Sequence, residues 1–263
     1  MPELPEVETV VRSIAPHVAG QRIVRAELSS RLVTRGGLKR TAERLKGRVI
    51  KAVRRRGKQI FMELDHGVLY VHLGMTGRLL WNGAPGKYTR ATLQLEGGTL
   101  TYDDVRQFGR VEFFTTVPKI LERVGPDALS ISFEEFESRL QQRSGRIKSV
   151  LLNQAFVAGI GNIYADEALF GARIHPRASA SRLSKRRAQE LYKNVLEVLE
   201  LAIQHRGSSI SDYVDAAGEP GEYQRRHAVY GRTGQPCPRC GASIRRIVIA
   251  QRGTHYCPRC QRA

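Results

Sequence analysis

Cys237-Pro-Arg-Cys240 and Cys257-Pro-Arg-Cys260 are two identical knuckles separated by 16 residues, and they hold every cysteine in the chain. Each knuckle presents two thiolates one short turn apart. The segment 244–256 between them can form a hairpin that would bring both pairs to one tetrahedral ion. Cysteines scattered over the chain would suggest exported disulfides, whereas confinement to the last 27 residues points to a metal. The expected cofactor is one structural Zn2+ on Cys237, Cys240, Cys257 and Cys260. With four thiolates such a site is closed to substrate. Arg239, Arg245, Arg246, Arg252 and Arg259 decorate the same ribbon and offer donors to phosphate.

Outward from the knuckles the chain stays basic. Lys and Arg number 43 against 25 Asp and Glu, a formal charge of +18. An excess of this size repels itself unless a polyanion is close, and nucleic acid is the partner it fits, ahead of an anionic membrane surface or a ribosome. No apolar run approaches the roughly 20 residues that span a bilayer, and the opening Met-Pro-Glu-Leu-Pro-Glu lacks a signal-peptide core. The expectation is a cytoplasmic, nucleoid-associated monomer with no membrane partner.

Residues Leu4–Val18 read as an amphipathic helix, with Pro5 in its first turn and Val7, Val10, Val11, Ile14 and Val18 on one face. From 22 to about 114 the pattern changes to short strands, at 49–53, Gln59–Leu64, 68–73, 92–95 and 99–102. Asp65-His66-Gly67 and Glu96-Gly97-Gly98 supply turns between neighbours, which suggests an antiparallel sandwich. Helices follow at 133–142, 145–152, 163–170 and Lys185–Gln204. The last is the clearest, with Leu191, Val195, Leu196, Leu199, Ala202 and Ile203 in helical spacing and Ser184 and Gly207 as caps. The stretch 215–232 is polar and Gly-bearing and reads as a long loop. The fold class is therefore α+β and multidomain. The division is 1–117 as a β-sandwich, 118–132 as a linker, 133–222 as a helical domain, and 223–263 as the end of the loop with the zinc finger.

Pro2 follows the initiator directly. Removal of Met1 would expose a secondary amine, and free α-amino groups titrate near pH 8, so a useful fraction is an uncharged nucleophile at neutral pH. Glu3 and Glu6 lie within one turn and could serve as acid and base. Taken alone, Pro2 and Pro5 read more readily as ordinary turn and helix-start residues.

Together these segments resemble one family. Met1-Pro-Glu-Leu-Pro-Glu-Val-Glu-Thr9, His72-Leu-Gly-Met-Thr-Gly77, Asp104-Val-Arg-Gln-Phe-Gly109, Gly159-Ile-Gly-Asn-Ile-Tyr-Ala-Asp-Glu167, Val229-Tyr-Gly-Arg232, Ala250-Gln-Arg252 and the cysteine knuckles are similar, in order, to the formamidopyrimidine-DNA glycosylases (Fpg, or MutM) of the Fpg/Nei family. The resemblance implies an N-terminal β-sandwich, a helix–two-turn–helix domain and a zinc-finger hairpin, with damaged double-stranded DNA in the cleft between domains. It implies a bifunctional glycosylase and AP lyase that removes 8-oxoguanine and formamidopyrimidines. Pro2 would attack C1′, Glu3 would move protons at the sugar, and Lys58, Asn162 and Arg252 would hold phosphates. Met75, Arg106 and Phe108 would fill the space left by the extruded base, and the loop 218–230 would cap the lesion.

Two departures bear on specificity. Gln107 stands where a second basic residue often follows the arginine. Lys87-Tyr-Thr-Arg90 replaces a histidine-bearing segment, with Arg90 as the substitute backbone contact. Lys148 aligns with a family lysine near the lesion. Two other readings remain at this stage: an endonuclease VIII-like enzyme for oxidised pyrimidines, and a non-catalytic zinc-dependent DNA binder. The Leu4–Thr9 stretch, Phe108 and the length of the capping loop favour the oxidised-purine enzyme over the former, and retention of Pro2 and Glu3 argues against the latter.

Overall fold

The computed structural model describes residues 1–118, 122–210 and 212–262. The chain forms two compact units, Met1–Leu121 with His205–Gln224, and Glu122–Gln204 with Arg225–Ala263. Among the described residues no helix is long and apolar enough to cross a membrane.

The first unit opens with helix α1, Leu4–Val18, over the expected span. Strand β1 (Ile23–Leu28), helix α2 (Leu38–Leu45) and strands β2 (Ile50–Arg56), β3 (Gln59–Leu64), β4 (Val68–His72), β5 (Arg78–Trp81), β6 (Thr89–Leu95), β7 (Gly98–Asp103) and β8 (Arg110–Phe114) follow. They build two four-stranded antiparallel sheets, ordered β1-β6-β7-β5 and β2-β3-β4-β8. Ile60, Met62, Leu69 and Val71 of one sheet share a core with Leu79, Leu93, Leu100 and Tyr102 of the other, and with Val7, Val10 and Ile14 of α1. The expected antiparallel sandwich is present, with α1 packed into its core.

The segment 205–224 differs from the division made on sequence, which ran the helical domain to 222. It packs with the sandwich instead. Tyr213 and Ala216 lie in the sandwich core, the Trp81 amide donates to the Ala216 carbonyl at 2.9 Å, and the Ser208 amide donates to Glu6 at 2.8 Å.

The second unit contains α3 (Phe133–Gln141), α4 (Ile147–Leu152), α5 (Asn162–Gly171) and α6 (Lys185–Gln204), then β9 (Arg245–Ile249) and β10 (Arg252–Tyr256). Ser132 caps α3 by accepting from the Glu135 amide at 3.2 Å. Helix α6 buries Ala188, Leu191, Val195, Leu199 and Ala202, the face read from its spacing. Part of the linker expected at 118–132 falls on 119–121, outside the described residues. Beyond it, Ala128 and Ile131 are buried, and the Gly125 and Ala128 amides donate to the carbonyls of Gln154 and Ala158. That stretch is a built part of the helical unit.

His72, the last residue of β4, titrates where it can affect stability. Its Nδ1 accepts from the Gly74 amide at 3.2 Å. Burial, then the positive charges of Lys58 and Arg110, lower its pKa to about 4 against the opposing pull of Asp104. As pH falls below about 6.5 the unfolded chain takes up a proton that the folded unit refuses, so this residue's contribution declines between about pH 6.5 and 4. The only tryptophan, Trp81, lies in the same unit and reports on it. Urea midpoints followed by its fluorescence should fall over that range. His72→Asn, whose Oδ1 can still accept from Gly74, should flatten the decline; an unchanged slope in the variant would count against this assignment.

Candidate active site and nucleic-acid interface

In the first unit the N-terminus is held by its own acids. Pro2 and Glu3 are buried just ahead of α1, and Glu3 is its N-cap. Glu3 and Glu6 form a reciprocal capping box in which the Glu3 amide donates to Glu6 Oε2 at 2.7 Å. Glu6 Oε1 accepts from the Ser208 amide at 2.8 Å. A Cβ on Gly207, whose φ is +76°, would meet that same oxygen at 2.7 Å. Both Glu6 oxygens are thus committed to main-chain donors, which corrects the expectation of an acid/base role: Glu6 is an anchor. Glu3 keeps its place directly beside Pro2.

Lys58 is buried at the tight connection between β2 and β3. The next residue, Gln59, is paired with His72 across the sheet, so the Lys58 ammonium lies close enough to depress the titration of His72.

The loops at 74–77 and 104–109 are also brought together. Met75 and Phe108 are 38% and 54% exposed, large values for apolar side chains with a core available to them, and both sit on loop tips. The Arg106 guanidinium lies 4.6 Å from the Phe108 ring centroid. Gln107 adopts a left-handed φ of 55°, and its Oε1 accepts from the Ser30 hydroxyl at 2.6 Å. Arg90 Nε donates to the Asp104 carbonyl at 3.0 Å, so this arginine braces the same loop through its main chain.

In the second unit Asn162 is the first residue of α5, after Gly161 as N-cap. Its Nδ2 donates to the Gly253 carbonyl at 3.0 Å, tying the helix N-terminus to the β9–β10 hairpin. That hairpin turns at Ala250 and Gln251, both with positive φ, and Ile249 faces Arg252 across the turn. The turn therefore lies immediately before Arg252. Arg252 is exposed on the first strand position after it. Gly253 is in the strand, and a Cβ there would meet the Arg246 guanidinium at 2.9 Å.

Lys148 requires a correction. It is fully buried, its ammonium paired with Asp166 and donating to the Asn162 carbonyl at 3.2 Å. The other Asp166 oxygen accepts from the His255 amide at 2.9 Å. A lysine so enclosed braces α5 and β10 and offers nothing to a phosphate surface. Sequence reasoning named neither Asp166 nor Glu167 as supports. Glu167 accepts from the amides of Ala228, Val229 and Tyr230 at 2.8, 3.0 and 2.8 Å. Two adjacent acids in a mostly apolar helix were the available signal.

The four cysteine sulfurs all lie within 4.8 Å of one another, with Cys237–Cys260 at 3.9 Å and Cys240–Cys257 at 3.5 Å. Tetrahedral zinc with Zn–S bonds of about 2.3 Å needs sulfurs about 3.8 Å apart. The donor set fits one structural zinc. Phe170, Val229 and Ile244 pack on Cys237 and Cys257, so the knuckles have only a small apolar core of their own.

A closed four-thiolate knuckle, a two-strand ribbon carrying arginines, a helix N-terminus aimed at the same ribbon and exposed apolar loop tips define a zinc-bearing nucleic-acid protein. Comparison with known proteins is more specific. Residues 1–111 match the formamidopyrimidine-DNA glycosylase N-terminal domain, 124–214 the formamidopyrimidine-DNA glycosylase H2TH domain, and 234–263 the zinc finger found in FPG and IleRS. A formamidopyrimidine-DNA glycosylase of Solibacter usitatus is 53% identical, with 100% of both chains covered. The crystal structure of MutM (Fpg) from Thermus thermophilus superposes with a TM-score of 0.90 at 43% identity, covering 99% of this chain and 98% of that one. A Lactococcus lactis Fpg mutant in complex with Fapy-dG containing DNA gives 0.91 at 36% identity, with both chains fully covered. The chain belongs to the formamidopyrimidine-DNA glycosylase family.

Because the finger has so little core, its folding should depend on the metal. Purified protein should carry one zinc per chain. Cys240→Ser should lose stoichiometric zinc and amide-exchange protection in β9 and β10, while protection in β2–β4 persists. Retained protection in β9 and β10 without metal would contradict a zinc-dependent finger.

Proposed function

We propose that this chain is a bifunctional DNA glycosylase and AP lyase of base excision repair, acting on oxidised purines such as 8-oxoguanine and formamidopyrimidines. The observation that carries the reading is the N-terminus: Pro2 and Glu3 sit at the N-cap of α1, clamped by Glu6, in a chain that matches the family along its whole length. DNA as substrate also puts its work at the nucleoid.

With Met1 removed, the Pro2 nitrogen has a lone pair to attack C1′ of the damaged nucleoside. A C1′–N bond forms as the glycosidic bond breaks, and the base leaves with that electron pair and takes up a proton. Ring opening moves a proton to O4′, the step assigned to Glu3, and leaves an iminium. The iminium acidifies C2′, so loss of its proton expels the 3′ phosphate; a further elimination expels the 5′ phosphate. A glycosylase that used water as nucleophile would have no iminium and no such route to strand cleavage.

The remaining assignments are phosphate and base contacts. Lys58 and Arg252 supply positive charge, and Asn162 stands where a helix N-terminus favours an anion. Met75 and Phe108 enter the stack as the damaged base leaves it, and Arg106 faces the orphaned partner base. The zinc stays structural and takes no part in the chemistry.

Borohydride reduction of the iminium tests the reading. Met-processed protein incubated with an 8-oxoguanine:cytosine duplex should give a covalent adduct on a denaturing gel. Acetylating the N-terminal amine should abolish it, and Pro2→Gly should weaken it. Trapping confined to oxidised pyrimidines would transfer the chain to the endonuclease VIII-like activity. Tight binding with no adduct on any lesion would leave a zinc-dependent DNA binder.

A further inference from the structure

Asp104 is completely buried at the foot of the loop that carries Arg106 and Phe108, and no role in the chemistry falls to it. Its carboxylate joins two loops. Oδ1 accepts from the Thr76 hydroxyl at 2.5 Å, and Oδ2 accepts from the Gly109 amide at 2.8 Å, with the Tyr102 hydroxyl 3.4 Å away. Thr76 Oγ1 in turn accepts from the Arg106 amide at 3.1 Å. A continuous path therefore runs from the Arg106 main chain through the Thr76 hydroxyl to the Asp104 carboxylate, and from there to Gly109. Met75 precedes Thr76, and Arg106 and Phe108 lie between Asp104 and Gly109.

The two loops also touch backbone to backbone. A Cβ on Gly74, whose φ is +62°, would meet the Gly109 nitrogen at 2.6 Å, and a Cβ on Gly109 would meet the Tyr102 hydroxyl at 1.7 Å. The Tyr102 hydroxyl lies 3.2 Å from the His72 carbonyl, at the start of the Met75 loop. On the outer side Ser30 holds Gln107. Each loop alone would be a short exposed turn with apolar tips, and ordering it on contact with DNA would cost conformational entropy at the moment of binding.

From this geometry we infer that Asp104 and Thr76 are positioning residues for damage recognition: their hydrogen bond locks the Met75 loop to the Arg106–Phe108 loop, so that the three side chains enter the base stack as one preformed wedge. The inference rests on the insertion roles assigned above. It predicts that the latch serves extrusion of the base, which needs unstacking, far more than the chemistry at C1′.

The test compares two substrates with the same enzyme. Single-turnover excision from an 8-oxoguanine:cytosine duplex requires the base to be extruded; cleavage and borohydride trapping at a preformed abasic site do not. Thr76→Val keeps the shape of the side chain but deprives Asp104 of a donor and the Arg106 amide of an acceptor. It should slow excision by about 10- to 100-fold, the loss expected for one buried hydrogen bond to a charged group. Cleavage at the abasic site should stay within about 3-fold, and Thr76→Ser, which restores the hydroxyl, should recover excision. Asp104→Asn serves as the second variant, with urea midpoints and zinc content measured on every protein. Equal losses on both substrates, or no loss on either, would overturn the latch. Phe108→Ala separates this result from the underlying assignment. If that variant excises 8-oxoguanine at the unmodified rate, insertion itself fails and the latch falls with it. If Phe108→Ala is slow and Thr76→Val is not, only the latch fails.

Discussion

A carboxylate out of contact with water must be given donors, and much of this protein is arranged around that requirement. Glu6, Asp104, Asp166, Glu167 and Asp215 are each at least nine-tenths buried, in a chain whose formal charge is +18. Every one of them accepts main-chain amides: Glu6 from Glu3 and Ser208, Asp104 from Gly109, Asp166 from His255, Glu167 from 228–230, and Asp215 from Ala217 and Glu219. The segments so held are the N-terminus, the Phe108 loop, the arginine-bearing hairpin and both ends of the long polar loop. Apart from the hairpin, they are irregular stretches, and none has a large apolar surface to fix it. A buried acid supplies what a core cannot, because losing any one donor leaves charge unsatisfied. Burial still raises the pKa of Glu167 in spite of its three amides, with Asp166 beside it adding to the effect.

This explains what was legible in the sequence and what was not. Helices α1 and α6 and the zinc knuckles announce themselves by period and spacing, since a long amphipathic face or a pair of identical C-x-x-C units has few other readings. Strands β3 and β7 are apolar runs bounded by turn residues. Strands β1, β5 and β8 and helix α2 are not marked by the sequence. β1 buries only Ile23 among its six residues and α2 only Thr41 and Leu45, so neither offers a clear apolar period. β5 is Arg-Leu-Leu-Trp, four residues with adjacent leucines and no alternation to mark it.

The proposed site was legible in its motifs and illegible in its supports. Pro2, Glu3, Asn162, Arg252 and the cysteines belong to short motifs with a mechanism attached to each. Glu6 and Lys148 belong to motifs as well, yet their partners, Ser208 and Asp166, lie 202 and 18 residues away, and only those pairings show that each is structural. Distances of that kind leave no periodic trace. Likewise the sequence division places 205–222 with the helical domain because that stretch follows α6 directly. Its place is decided by Tyr213 and Ala216 entering the sandwich core, two residues whose apolar neighbours in the stretch give no regular period.

Some of the backbone strain falls in the same supported loops. Among the described residues six non-glycine positions have positive φ: Asn82, Gln107, Arg173, Arg206, Ala250 and Gln251. Gln107 lies between Arg106 and Phe108, and Ala250 and Gln251 form the turn that delivers Arg252. A side chain in that region costs about 1 kcal/mol or more, and glycine would relieve it. Glycine would also loosen the turn, and the loss of order would reappear as entropy to be removed on binding. Ser30 holds Gln107 from outside, and the ladder between Ile249 and Arg252 closes the hairpin turn. The insertion and phosphate contacts proposed for these loops would benefit from having that order in place beforehand. The strained residues and the buried acids are two parts of one arrangement, in which polar, irregular loops are made rigid without a core of their own.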